Sequence, residues 1–213
     1  MDRKIVVKKF NDNYFYKAIN IFPDYQLDKL NQSSVHWIES TRKDIVVDSD
    51  SEEGREFYPP ESSSELISYK DFIEDDLWIS YLECIKAHTL NYCKLTEIAI
   101  PEKLLSAHIK RVADIEISDV YTKEHLKKLR TKRNPMGTVD NNNNNRIRSI
   151  FYLKNPNIKY GTVIKLENNK IFKNDGEENS MIIFNPELYH AGLYPTEEDL
   201  QIGPQIIIIC DFV

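Results

Sequence analysis

The chain has 213 residues, 41% hydrophobic and 29% charged, with a formal net charge of −6 at pH 7. That length and balance suit one domain with a sizeable core. The negative charge argues against broad nucleic-acid binding. The opening segment MDRKIVVKKF lacks the apolar stretch of a secretory signal, and the longest apolar run, 206–210, is too short to span a bilayer.

Cys84, Cys93 and Cys210 form no CxxC pair. A scattered, odd set points to buried thiols in a reducing, cytoplasmic setting rather than to disulfides or a metal–cysteine site. Asn, Ile and Lys are abundant, and 141–145 is a run of asparagines. That bias fits an AT-rich genome, such as that of a phage or large virus.

In chain order, 5–7 and 18–22 read as short strands. Asp24 is placed to cap a helix starting near Tyr25, with Leu27 and Leu30 on one face. Residues 43–64 turn acidic and Ser/Pro-rich, which predicts a surface loop or partner-binding arm, because they carry too little apolar area to fold alone. The strongest helix signal is 75–93, where Trp78, Leu82, Ile85 and Tyr92 form an apolar stripe; His88 on its flank reads as a packed or surface histidine.

Residues 96–100 and 104–117 look like strands. In the second, alternation puts His108 and Lys110 on one face and Ile109 and Arg111 on the other. The segment 122–132, TKEHLKKLRTK, reads as a short helix with a basic, solvated face that carries His125. After the Pro135-Met136-Gly137 turn and the asparagine run, 146–153 reads as a strand, with Ile147, Ser149, Phe151 and Leu153 facing one way and Arg148, Ile150 and Tyr152 the other. Residues 162–167, 181–184 and 205–212 are further strands, and 168–179 carries turn chemistry.

The words Thr138-Val139-Asp140, Phe151-Tyr152-Leu153-Lys154, Gly161-Thr162-Val163, Phe184-Asn185-Pro186 and His190-Ala191-Gly192 occur in that order. Together they resemble the C-terminal core of the iron(II)/2-oxoglutarate-dependent oxygenases of the prolyl-hydroxylase-like kind. The resemblance covers roughly the last hundred residues. It implies a mainly β fold with flanking helices (α+β), a double-stranded β-helix of the jelly-roll, cupin-like kind. It also implies a single domain over 1–213, in which 1–94 supplies supporting strands and helices and 95–213 forms the β-helix core.

In that family a His-x-Asp and a second His hold Fe(II), and a basic residue on the last strand grips 2-oxoglutarate. Carried over, Asp140 and His190 are the remaining metal ligands, with Thr138 where the first His would stand. Tyr152 takes the place of a residue that touches the co-substrate, and Gln205 replaces the arginine or lysine of the last strand. A hydroxyl is a poor donor to Fe(II), and second-shell groups do not create a missing ligand. Exchanging a charge-assisted contact at a buried carboxylate for a neutral amide costs about 2–5 kcal/mol.

Two readings follow. In the first, the fold is kept, catalysis is lost, no cofactor is bound, and the chain joins other protein subunits in an assembly such as a phage or virus particle. In the second, it is an active Fe(II)/2-oxoglutarate dioxygenase, with His108 or water as substitute ligand and Lys110, Arg111 or Arg148 as substitute anchor. Both exclude a membrane and make nucleic acid an improbable partner.

Overall fold

The strands that carry most of the core are nearly continuous buried runs, and the pleat divides their residues between two hydrophobic layers. The computed structural model describes residues 4–10, 13–41, 61–65, 75–112, 146–166, 170–193 and 195–213, some of them, including His108 and Lys110, by backbone alone. Among the described residues, ten strands fall in two antiparallel sheets. The first sheet has the order β1-β2-β8-β5-β10-β4-β3, and the second the order β7-β6-β9.

The strands are β1 (Lys4–Phe10), β2 (Asn13–Ile19), β3 (Glu61–Glu65), β4 (Leu104–Val112), β5 (Ile147–Lys154), β6 (Thr162–Lys165), β7 (Ile171–Asn174), β8 (Ser180–Phe184), β9 (His190–Gly192) and β10 (Gln205–Phe212). The helices are α1 (Asp24–Thr41), α2 (Asp76–Thr96) and the single turn α3 (Glu197–Leu200). Among the described residues no helix is long and apolar enough to cross a membrane.

On one face of the large sheet, Ala107, Ile109, Ile147, Phe151, Leu153, Met181, Ile183, Ile208 and Cys210 pack against the helices. Helix α2 supplies Trp78, Tyr81, Ile85 and Tyr92 to this layer, and Phe151 lies against the rings of Phe22 and Tyr81. The opposite face, with Phe15, Ile150, Tyr152, Ile182 and Phe184, meets Ile164, Leu166 and Phe172 of the small sheet to fill the barrel. Strand alternation thus produces both cores at once.

Several expectations change. Residues 96–100 are not a strand: α2 runs to Thr96, and Glu97 closes it in the left-handed conformation at φ 57°. Asp75 caps its start by accepting from the N–H groups of Leu77 and Trp78 at 2.8 and 3.1 Å. The second N-terminal strand begins earlier, as β2, which pairs along its whole length with β1. The acidic stretch predicted as a loop ends in β3, a polar edge strand paired with β4. Residues 168–179 contain β7, and His190 opens the short strand β9. The basic segment 122–132 and its His125 lie outside the described residues.

Polar ties fix the end of the barrel behind the site. Gly161 sits so close to β7 that a Cβ there would meet the Asn174 carbonyl oxygen at 1.8 Å. Asp199 accepts from the Tyr160 hydroxyl at 2.5 Å, the Thr196 hydroxyl at 2.8 Å and the Lys159 ammonium at 2.9 Å. These contacts anchor the segment between β9 and β10 to the β5–β6 turn. They hold the Asp199 carboxyl well below the usual carboxylate range, the Tyr160 hydroxyl being the main cause.

Gly161→Ala is expected to cost about 1–3 kcal/mol in urea denaturation, because backbone rather than a movable side chain opposes the methyl group. A carboxyl held low in the folded state stabilises fully above its unfolded pKa of about 4, and that stability is lost as pH falls toward the folded value. Asp199→Asn should therefore lower the unfolding midpoint at pH 7, with the gap from wild type closing below about pH 4.

Candidate functional site

His190 is 7% exposed and lies at the start of β9, opposite Ile164 of β6. Its ring stands edge-on to Phe184, with centroids 5.0 Å apart. Its Nδ1 is 2.7 Å from the Leu188 carbonyl oxygen. A carbonyl only accepts, so Nδ1 carries the proton and Nε2 keeps its lone pair. A backbone carbonyl on the far nitrogen is the usual way to orient a metal-ligating imidazole.

That lone pair meets a cation from the protein itself. Arg148 Nη1 lies 2.7 Å from His190 Nε2 and donates to it. The same guanidinium makes a two-point contact with Asp211, Nε to Oδ1 at 2.6 Å and Nη2 to Oδ2 at 2.7 Å. Arg148 and Asp211 are direct cross-strand partners on β5 and β10, and their side chains are only 16% and 8% exposed. Both project from the barrel face of the large sheet, because Ile150 and Tyr152 on β5 and Ile207 and Ile209 on β10 point the same way.

This arrangement decides whether iron fits. A divalent ion on His190 Nε2 would sit within about 4 Å of the guanidinium charge. Coulomb repulsion between a dication and a monocation there is roughly 8 kcal/mol at an effective dielectric of 20, before Asp211 offsets part of it. With Arg148 on the imidazole, the described residues do not fit Fe(II) at this histidine. Thr138 and Asp140 lie outside the described residues, so the site read from sequence is placed here at His190 alone.

Tyr152 is buried, and its hydroxyl is 2.5 Å from Thr162 Oγ1. Burial pushes the phenol up to about 12, opposed by its hydrogen bonds to Thr162 and Asn174. It is therefore a neutral group in the barrel wall near pH 7. Gln205 is 4% exposed at the start of β10. Its Nε2 lies 3.0 Å from the Tyr160 carbonyl oxygen, 3.3 Å from that of Leu193 and 3.3 Å from Asn155 Oδ1. The amide nitrogen thus faces acceptors of the surrounding loops.

Of the substitute groups considered, Arg111 is on the wrong face. It shares the β4 face of Ile109, which packs toward the helices, so it does not point into the barrel. His108 and Lys110 occupy the alternate positions of β4, opposite Ile209 and Ile207. His88 bonds through Nδ1 to the Tyr16 hydroxyl at 2.8 Å, far from the barrel face, in keeping with a packed histidine. Asp211 was missed in the sequence, although a carboxylate closing an otherwise apolar strand signals a buried charge in need of a partner.

No protein-family model matches the sequence, and no curated protein matches it. Solved structures do match. The chain aligns with a prolyl-4-hydroxylase from Pseudomonas putida at 10% identity and TM-score 0.58, over 93% of this chain and 91% of that one. It aligns with a prolyl hydroxylase from Trichoplax adhaerens, in complex with a hypoxia inducible factor peptide fragment, at 11% identity and TM-score 0.53, over 93% and 82%. The non-heme alpha ketoglutarate dependent carbocyclase SnoK from nogalamycin biosynthesis gives 7% identity and TM-score 0.58, over 93% and 78%. The fold is that of the iron(II)/2-oxoglutarate-dependent oxygenases, a mainly β double-stranded β-helix, as the ordered words implied. At such identities the likeness is one of fold.

Asp211→Ala would strand a largely buried guanidinium, and is expected to cost about 3–5 kcal/mol in chemical denaturation. The double variant Arg148→Met with Asp211→Leu, which removes both charges, should recover most of that loss.

Proposed function

We propose that this chain is an oxygenase-fold protein that no longer runs the iron- and 2-oxoglutarate-dependent reaction and instead works as a binding component of a larger protein assembly. The observation that carries this reading is the Arg148 guanidinium on His190 Nε2, the atom a metal would need. Two features of the sequence agree with it. Thr138 stands where the family's first imidazole would be, and the last strand offers Gln205 in place of a cation.

The pair with Asp211 strengthens the reading, because it makes the arginine a fixed part of the barrel. A two-point ion pair with little exposure holds the guanidinium against the imidazole at small entropic cost. Iron and 2-oxoglutarate are the cofactors the fold would take in an active relative, and the Arg148–Asp211 pair against His190 supports the reading that this chain works without them. A phage or virus particle is the assembly that the AT-rich composition suggests.

Protein purified without oxygen and incubated with Fe(II) should retain far less than one iron per chain after desalting. With 2-oxoglutarate added, it should yield no succinate above the protein-free rate. Stoichiometric iron together with succinate formation that disappears in His190→Ala would overturn the proposal and establish an active dioxygenase built on Asp140, His190 and a substitute ligand.

A further inference from the structure

On the side of the barrel away from His190, the two sheets leave a cleft of about 190 Å³ between β1–β2 and β7. Its floor is apolar: Phe15 and Phe172 stack with centroids 4.4 Å apart, and Ile182 lies beside them. Lys8, Lys17 and Lys173 line it. Lys8 stands over the Phe172 ring at 5.6 Å, and Lys17 reaches Glu177 at 3.5 Å. Against these three lysines the cleft lining has one carboxylate, Asp175, in a chain of net charge −6.

The cleft is also bordered by an open strand edge. On the β6 side, Leu166 N–H bonds the Lys170 carbonyl, whereas Lys165 N–H bonds the Tyr189 carbonyl next to β9. Even-numbered residues of β6 therefore bond toward β7 and odd-numbered ones toward β9. Their β7 partners are Phe172, opposite Ile164, and Asn174, opposite Thr162. It follows that Ile171 and Lys173 direct their backbone N–H and C=O groups away from β6, along the free edge. β7 ends its sheet among the described residues.

Lysines on an edge strand often serve only to discourage pairing. This edge is different, because Lys173 comes with an exposed apolar neighbour and an apolar floor beside it. Ile171 is 71% exposed. We propose that this cleft is a docking site for an extended, acidic segment of a partner protein, which adds to β7 as a further strand. Alternate side chains of the added strand rest on the Phe15–Phe172 floor, and the intervening carboxylates meet the lysines. Backbone pairing supplies affinity and the lysines supply the preference for acidic sequence.

The inference names the kind of partner for the binding role proposed above and rests on that reading, but it is tested independently of iron. The probe is a blocked, fluorescein-labelled hexapeptide of alternating glutamate and valine, followed by fluorescence anisotropy with the full chain. Saturable binding that weakens with added salt is expected. The Lys8→Glu, Lys17→Glu, Lys173→Glu triple variant should lose roughly tenfold or more in affinity.

Lys173→Pro removes one outward N–H while leaving the β6 ladder intact, and it should weaken binding as well. Thermal melts identify any variant that fails to fold, and the remaining variant then decides. Equal binding of a lysine–valine hexapeptide, unchanged affinity in the folded variants, or tighter binding of single-stranded oligothymidine would overturn the proposal. Failure here leaves the iron measurement standing. Iron loading with intact peptide binding would sink the function reading alone.

Discussion

A buried guanidinium held between a carboxylate and an imidazole is the constraint on which the site depends. Arg148 lies on β5, Asp211 on β10 and His190 on β9, so the cluster joins three strands and both sheets. Each charge has a partner, and the neutral imidazole accepts from the cation because its other nitrogen already donates to a carbonyl. In an apolar barrel this is the condition under which a charge can stay buried. The same geometry that would present an imidazole to a metal presents it to the protein's own side chain.

The rest of the barrel follows the same logic of filled space and satisfied polar groups. Tyr152, Ile164, Phe172 and Phe184 pack the interior, and the Tyr152 hydroxyl is answered by Thr162. Behind the site, Gln205 and Asn155 tie the β5–β6 turn to the loops around it through carbonyl contacts. Burial and hydrogen bonding among these residues hold the barrel in shape.

Much of the core was legible in the residues. The alternation of 146–153 placed each side chain on its face, the apolar run 205–212 marked a buried strand, and the stripe of Trp78, Ile85 and Tyr92 marked α2. The shorter elements were not legible. β7 and β9 are four and three residues long, too short for a periodic signal, and they exist because β6 between them supplies the ladder partners. The stretch 96–100 looked like a strand because it is apolar, yet α2 simply runs on to its cap at Glu97.

The sequence by itself carried the ordered words whose resemblance implied the class of fold and singled out His190, because such words are local properties of the chain. It also marked Thr138 and Gln205 as departures from an iron-binding pattern. Only the tertiary structure decided what His190 faces. Arg148 and Asp211 are 63 residues apart and become neighbours solely through the register of β5 against β10. Long-range register depends on the packing of the whole sheet, and no local pattern carries it.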